Sequence, residues 1–270
     1  MSPFDLEARY RAAETVTRQA GMLASEHYSR RTQLTVSHKG AQDLVSEADR
    51  ACEEHIVAAL SRAFPGDAFL GEESGQRNVG GEATWVIDPI DGTHNFVVGV
   101  RFWCVSVGLV VAGKSVIGHI YHPAEDELFS ALDGRGAFLN GEPIKVSSET
   151  DVKKARLCVG FSYRAPIVDH VRTIDTLLTE GCEYLRIGSG ALGLAYTAAG
   201  RFEGYWERHL NSWDAAAGLC LVREAGGWTN DFLAGDGLLK GKEMLAATPA
   251  LVEPLSRLTG FAERSRGEPR

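Results

Sequence analysis

A chain of 270 residues is long enough for one large compact unit or two small domains with ample core. With 44% hydrophobic and 24% charged residues and no low-complexity tract, the disordered and fibrous classes drop out. The formal charge of −8, with no basic run to offset it, argues against a general nucleic-acid or anionic-membrane binder, so an anionic substrate would need local positive charge, for which metal ions are the natural source.

Cys52, Cys104, Cys158, Cys182 and Cys220 are odd in number, widely spaced and free of any CxxC pair, which reads as buried thiols in a reducing compartment. No apolar run approaches the length that spans a bilayer, and no positively charged start is followed by an apolar stretch. The expected location is the cytoplasm, without an anchor.

Along the chain, Ser2-Pro3 with Asp5 reads as an N-cap, a proline at the first helical position and an early acidic residue. Leu6, Tyr10, Ala13, Val16, Ala20 and Leu23 then repeat at helical spacing, predicting an amphipathic packing helix. Leu34 to Val45 is irregular, and its run from Ser37 to Asp43 suits an exposed loop, a mobile one if it borders a site. Ser46 with Asp49 predicts a capping box for a helix through Cys52, Ile56, Leu60 and Phe64, which Pro65-Gly66 ends. A short strand follows into Gly71-Glu72-Glu73, and Asn78 to Glu82 is a polar connection toward Trp85.

Trp85, Val86 and Ile87 read as the end of a buried strand, which the chain leaves carrying Asp88 and Asp91. Pro89 and Gly92 suit a tight turn there, one that can bring both carboxylates and the Ile90 carbonyl toward one point. Mg²⁺ takes hard oxygen ligands in near-octahedral array, so this is a credible half-site, although an Asp-Pro-x-Asp-Gly string is also ordinary turn chemistry. A second acidic pair, Glu72 and Glu73, ends the apolar run Ala68-Phe69-Leu70 after Gly71, and Asp214 opens a helix far downstream. None of these carboxylates has a Lys or Arg beside it. Gathering them without a cation would raise their pKa values sharply, and a bound metal resolves that conflict.

Thr93 reads as the cap of a short helix that aims the Gly92 and Thr93 N–H groups at an anion. His94 is left out of the ligand set, because hard-metal phosphatase sites prefer oxygen. Val105 to Val111 and Val116 to Tyr121, joined through Ala112-Gly113-Lys114, predict a hairpin, and Asn140-Gly141 marks another turn. Residues 1–150 are therefore expected to form an antiparallel-rich α+β half. From Lys154 onward strand and helix alternate: Arg156 to Phe161, Ile167 to Leu178, Cys182 to Ile187, Ala191 to Ala199, Phe202 to Trp206 and Trp213 to Ala225. That makes residues 151–270 an alternating α/β half of the same compact unit. From Ala262 the chain is polar and expected to be loose.

Gly188, Gly190 and Gly193 form GxGxxG between a predicted strand and helix, with Glu207 near the end of the next strand, which mimics a dinucleotide fingerprint. On its own the motif is weak, and it leaves the acidic motifs unexplained. The anion-binding logic of a Gly-rich helix start applies equally to a phosphate.

Three motifs in order, GEES at Gly71 to Ser74, DPIDGT at Asp88 to Thr93, and WD at Trp213-Asp214 with EAGG at Glu224 to Gly227, resemble the signatures of the inositol monophosphatase family. The resemblance runs from DLVSEAD at Asp43 to Asp49 through Gly226-Gly227. It implies a layered α/β/α/β/α sugar-phosphatase fold and a Mg²⁺-dependent, lithium-inhibited phosphomonoesterase, with a homodimer as the suggested assembly. The implied substrate is a small phosphate ester, inositol 1-phosphate first and histidinol phosphate as the alternative within the family. By the same resemblance Glu72, Asp88 and the Ile90 carbonyl hold a first Mg²⁺, Asp88, Asp91 and Asp214 a second, and Glu72 with Glu73 a weaker third. Two metals can meet the needs of an in-line displacement at phosphorus.

Glu72 and Thr93 would position the attacking water, and Asp49 matches an acidic position near the family's metal cluster, although its capping role explains it equally well. Substrate contacts are implied at Asp91, Gly188, Ser189, Gly190 and Glu207, beside the anion-facing Gly92 and Thr93. Two departures stand out: His94 follows the DGT, and Gly190 stands where a slightly larger residue is frequent. Readings of other classes are the dinucleotide binder and a non-catalytic partner of the RNA machinery.

Overall fold

The structure, a computed structural model, describes residues 5–34, 36–40, 43–78 and 80–262, with the backbone alone for 36–40 and 43–45. Helix α1 (Leu6–Ser29) is capped by Asp5, whose Oδ1 accepts from Ala8 N at 3.0 Å. The cap expected at Ser2 lies outside the described residues, and Asp5 fills that role instead. The run from Ser37 to Asp43, expected to be a loop, contributes most of β1 (Val36–Gly40) and the start of β2 (Asp43–Ser46), which pair as a two-stranded ribbon. A short polar ribbon lacks the apolar alternation by which a strand is recognised. Helix α2 (Glu47–Ala63) then starts on the predicted Ser46/Asp49 capping box.

An eight-stranded sheet follows, ordered β10-β9-β8-β7-β6-β5-β3-β4. Its strands are β3 (Ala68–Gly71), β4 (Gly75–Arg77), β5 (Ala83–Asp91), β6 (Cys104–Val111), β7 (Lys114–His122), β8 (Glu127–Leu132), β9 (Ala137–Leu139) and β10 (Glu142–Ile144), with helix α3 (Thr93–Val98) between β5 and β6. Only the β3/β5 pair is parallel. Both predicted turns are tight two-residue loops with left-handed backbone, φ 48° and 77° at Ala112-Gly113 and 51° and 87° at Asn140-Gly141.

The five-stranded second sheet is ordered β12-β11-β13-β15-β14. It is built from β11 (Arg156–Val159), β12 (Glu183–Leu185), β13 (Gly204–Leu210), β14 (Trp228–Thr229) and β15 (Lys242–Ala247). Its helices are α4 (Ile167–Thr179), α5 (Gly190–Ala198), α6 (Ser212–Glu224), α7 (Gly237–Lys240) and α8 (Val252–Leu258). Strands β11 and β12 and strands β11 and β13 run parallel, while β15 is antiparallel to both of its neighbours. The strands on either side of α5, β12 and β13, are separated by β11, so the GxGxxG helix does not join the adjacent parallel strands of a dinucleotide-binding unit.

Five layers result. Helices α1 and α2 cover the outer face of the first sheet through Val16, Ala20, Ile56, Leu60, Trp85 and Val107. Helices α5 and α6 lie between the sheets, with Leu194, Leu219 and Leu221 in a buried cluster that reaches Phe129 on one side and Tyr205 on the other. Helices α4 and α8 cover the far face of the second sheet over Leu157, Trp206 and Leu245. This is the expected α/β/α/β/α arrangement. Two facing glycines set how near α6 comes to the first sheet: a Cβ on Gly118 would lie 2.2 Å from the Ala217 carbonyl oxygen, and one on Gly108 2.9 Å from Ala217 N. That approach carries the first turn of α6 toward β5.

Candidate active site

Strand β5 does not end at Ile87 as expected; it continues to Asp91 through a bulge. Asp88 pairs with Ser106 and Asp91 with Cys104, so Pro89 and Ile90 oppose Val105 alone. In a regular strand, residues an odd number apart point to opposite faces. The extra residue of the bulge cancels that alternation and turns Asp88 and Asp91 to one side. Asp88 Oδ1 accepts from Ile90 N at 3.0 Å, which holds the bulge. Asp91 Oδ2 accepts from Ser189 Oγ at 2.5 Å and Ala191 N at 2.7 Å at the start of α5.

Asp214 arrives from the first turn of α6, its Oδ2 accepting from Asn211 N at 3.3 Å. One carboxylate oxygen from each of Asp88, Asp91 and Asp214 lies within 4.8 Å of the others. Burial pushes the Asp88 carboxyl well above its ordinary pKa, with Glu72, Asp91 and Asp214 adding to the rise. Burial raises Asp91 too, against the Ser189 and Ala191 hydrogen bonds, and burial with the charge of Asp91 lifts Asp214 to about 7. Three carboxylates, Asp88 and Asp91 buried and Asp214 half-buried, therefore repel one another with no cation among them in the described residues, and the donors are all oxygen. That set fits a hard divalent cation.

Gly92, in left-handed conformation at φ 92°, is the N-cap of α3, so Thr93 is its first helical residue rather than its cap. The Thr93 hydroxyl lies 3.0 Å from the Ile90 carbonyl and 3.2 Å from Asp49 Oδ1. Asp49 Oδ2 meanwhile accepts from Ser46 N and Oγ at 2.8 and 2.6 Å. One oxygen of Asp49 caps α2, and the other faces Thr93.

Asp88, Ile90, Asp91, Gly92, Thr93 and Asp214 border a cavity of about 490 Å³, and Asp49 is not part of its lining. Glu72, Asp88, Asp91 and Asp214 lie at its floor, Gly188, Ser189, Gly190 and Glu207 on its wall, and His94 at an exposed edge. Glu73 does not line it. Glu207 is 8% exposed and accepts from the Tyr205 hydroxyl at 2.5 Å. Burial, with Asp214 and Asp91 nearby, raises its carboxyl to about 8 despite that bond.

Two structurally important residues were not anticipated. Glu53, buried on α2, accepts from Glu73 N and Ser74 N at 2.9 Å each and so shapes the turn that carries Glu72. A Cβ on Gly71 would sit 2.4 Å from that carboxylate. Its only sequence signal is its position one helical turn beyond Asp49. Asn95, visible in the DGTHNF string, donates through Nδ2 to the Phe102 and Ile187 carbonyls at 2.7 and 2.8 Å, tying α3 to the loop before Gly188.

Residues 5–261 match the sequence pattern described as the inositol monophosphatase family. The chain is 41% identical to inositol monophosphatase 3 of Solanum lycopersicum, over 84% of each protein. It is 36% identical to Nus factor SuhB of Pasteurella multocida, over 88% of this chain and 90% of that one. Its fold superposes on the crystal structure of extragenic suppressor protein suhB from Bartonella henselae with a TM-score of 0.88 at 36% identity, over 94% of this chain and 98% of that one.

Proposed function

The chain belongs to the inositol monophosphatase family, and on that premise we propose that it is a Mg²⁺-dependent phosphomonoesterase hydrolysing a small polyol phosphate, inositol 1-phosphate foremost. The observation that carries this reading is the convergence of Asp88, Asp91 and Asp214, from two distant segments, within one small group without a counter-charge among the described residues. Glu72, Asp88 and the Ile90 carbonyl would hold one Mg²⁺ and Asp88, Asp91 and Asp214 a second; a third, shared by Glu72 and Glu73, rests on family resemblance alone. When bound, such ions supply the positive charge that phosphate and leaving oxygen require and ease deprotonation of water.

The chain's own groups do the rest. Thr93 and Glu72 orient the attacking water, with Asp49 Oδ1 placed to accept the Thr93 proton and so fix the direction of its hydroxyl. The N–H groups of Gly92 and Thr93 donate to the phosphate oxygens. Ser189 holds Asp91 in position, while Gly188 and Gly190 keep the wall open for the alcohol part. Glu207, with a pKa raised to about 8, suits an exchange of hydrogen bonds with polyol hydroxyls. Histidinol phosphate is the alternative, its ammonium pairing with an ionised Glu207, but Arg164 and Arg186 at the cavity mouth work against a cationic substrate.

Inhibition by Li⁺, a homodimer and a cytoplasmic location complete the proposal. Exposed Val98, Val100, Phe102, Ile167, Val168 and Val171 offer apolar surface for a second copy, and no helix among the described residues is long and apolar enough to cross a membrane. Relatives named Nus factor keep a partner-binding role in view. A phosphate-release panel of inositol phosphates, histidinol phosphate, fructose 1,6-bisphosphate and adenosine 3′,5′-bisphosphate decides between the readings. Turnover led by inositol 1-phosphate supports the proposal, and no turnover on any ester would favour the non-catalytic partner.

A further inference from the structure

Tyr205 and Glu207 stand two residues apart on β13, so they share the face of the second sheet that borders the cavity, and both line it. The Tyr205 side chain is buried, and its hydroxyl donates to Glu207 Oε2 at 2.5 Å. A buried hydroxyl needs a partner, and Glu207 is the partner it has. Because Oε2 accepts this bond, a proton held by the carboxyl sits on Oε1. Burial raises the Glu207 carboxyl, and the Tyr205 bond together with the charge of Arg186 opposes that rise.

The glycines of the GxGxxG string pack against this pair. A Cβ on Gly193 would lie 2.5 Å from Cδ2 of the Tyr205 ring. One on Gly190 would lie 3.1 Å from the Tyr205 hydroxyl and 2.9 Å from Leu210 Cδ1. From the end of β11, a Cβ on Gly160 would lie 2.6 Å from the same hydroxyl and would overlap the Glu207 carboxylate. Gly188, the first glycine of the string, instead makes room for Asn95, whose Nδ2 a Cβ would approach to 2.9 Å. Backbone this close to a phenol and its carboxylate is possible only without side chains at those positions.

We propose that Tyr205 is a positioning residue: its hydroxyl fixes Glu207 so that Oε1 meets the hydroxyls of the alcohol part, and Gly190 and Gly193 form the seat that admits the phenol. This rests on the phosphatase reading above, in which Glu207 contacts the alcohol part and not the reacting phosphate. It gives the glycine string a part in substrate choice. It also accounts for Gly190 where a slightly larger residue is frequent, since a methyl there would crowd the hydroxyl.

The test is steady-state kinetics in Mg²⁺ on inositol 1-phosphate and p-nitrophenyl phosphate, for wild type, Tyr205→Phe, Glu207→Ala and the double variant. Tyr205→Phe keeps the ring in its seat and removes only the hydroxyl. KM for inositol 1-phosphate should rise about two- to tenfold, the size of one hydrogen bond, with a smaller change in kcat and a smaller change on p-nitrophenyl phosphate. In the double variant the loss should equal that of Glu207→Ala alone, because the hydroxyl then has nothing to position. Should Tyr205→Phe fail to fold, Gly190→Ala, which crowds the hydroxyl from the other side of the contact, should give the same split between the esters. Equal losses on both esters, an unchanged KM, or additive losses in the double variant overturn the role of Tyr205. Hydrolysis of neither ester by wild type overturns the phosphatase reading itself, and this role with it.

Discussion

Asp214 shows how one side chain serves fold and chemistry together. It accepts from the Asn211 backbone at the start of α6 and stands with Asp88 and Asp91. Asp214→Asn should lose helix-start stabilisation of only about 0.3–1 kcal/mol, a loss that relief of the repulsion with Asp88 and Asp91 opposes in metal-free protein near pH 7. If it also removes a metal ligand, kcat should fall by about a hundredfold or more, at least the loss seen on removing supporting groups around a metal. A lowered melting temperature with near-normal kcat would leave Asp214 a capping residue only. Glu207 touches no reacting atom in the proposal and should act on substrate choice. Glu207→Gln should cost about ten- to a hundredfold in kcat/KM on inositol 1-phosphate while p-nitrophenyl phosphate, which offers no polyol, is nearly unaffected. An equal fall on both esters would place Glu207 in the catalytic machinery or the fold.

At the scale of elements, what was legible followed from strong local signals. The α2 capping box, both hairpin turns and the strand–helix alternation after Lys154 are written in residues whose conformational preferences act over a few positions. The bulge in β5 was not legible, because Asp-Pro-Ile-Asp-Gly satisfies a turn and a bulged strand equally and only pairing with Ser106 and Cys104 decides. Strand β15 escaped because Met244 to Ala247 is buried throughout and shows no alternation. Glu53 was missed because its partners are backbone N–H groups of a turn far along the chain. The contact of α6 with the first sheet is likewise a matter of glycines seen only in space. Gly118→Ala places a methyl 2.2 Å from the Ala217 carbonyl oxygen, so α6 must move. The expected cost is about 1–3 kcal/mol, read as a lower urea midpoint, together with weaker Mg²⁺ binding as Asp214 is displaced. Unchanged stability would show that α6 is not fixed by this contact.

For the molecule as a whole, the buried acidic floor couples stability to pH and to metal. The Asp214 carboxyl has an ordinary value of 3.8 and is raised to about 7 in the fold. A folded pKa above the unfolded one favours the protonated form, so its contribution is complete below about pH 4 and is lost as pH rises toward about 7; Asp88 and Asp91 shift in the same direction. Metal-free protein should therefore lose stability over that window, and Mg²⁺, which binds only the ionised carboxylates, should raise Tm more at the upper end than at the lower. A Tm difference between Mg²⁺ and chelator that is independent of pH would contradict this. The two halves share one buried cluster extending from Leu70 to Ala246, and we expect a single unfolding transition. The family and its acidic strings were legible because both rest on short motifs; the tie of α3 through Asn95 was not, since the Ile187 carbonyl meets it only in the folded chain.

The central claim is that the carboxylates of β5 and α6 exist to hold metal for phosphate-ester hydrolysis. The most direct measurement is phosphate release from inositol 1-phosphate by the purified protein, first with chelator and then with Mg²⁺ restored. Activity that vanishes in chelator and returns with Mg²⁺ is the predicted result; full activity in excess chelator, or none in saturating Mg²⁺, would contradict it.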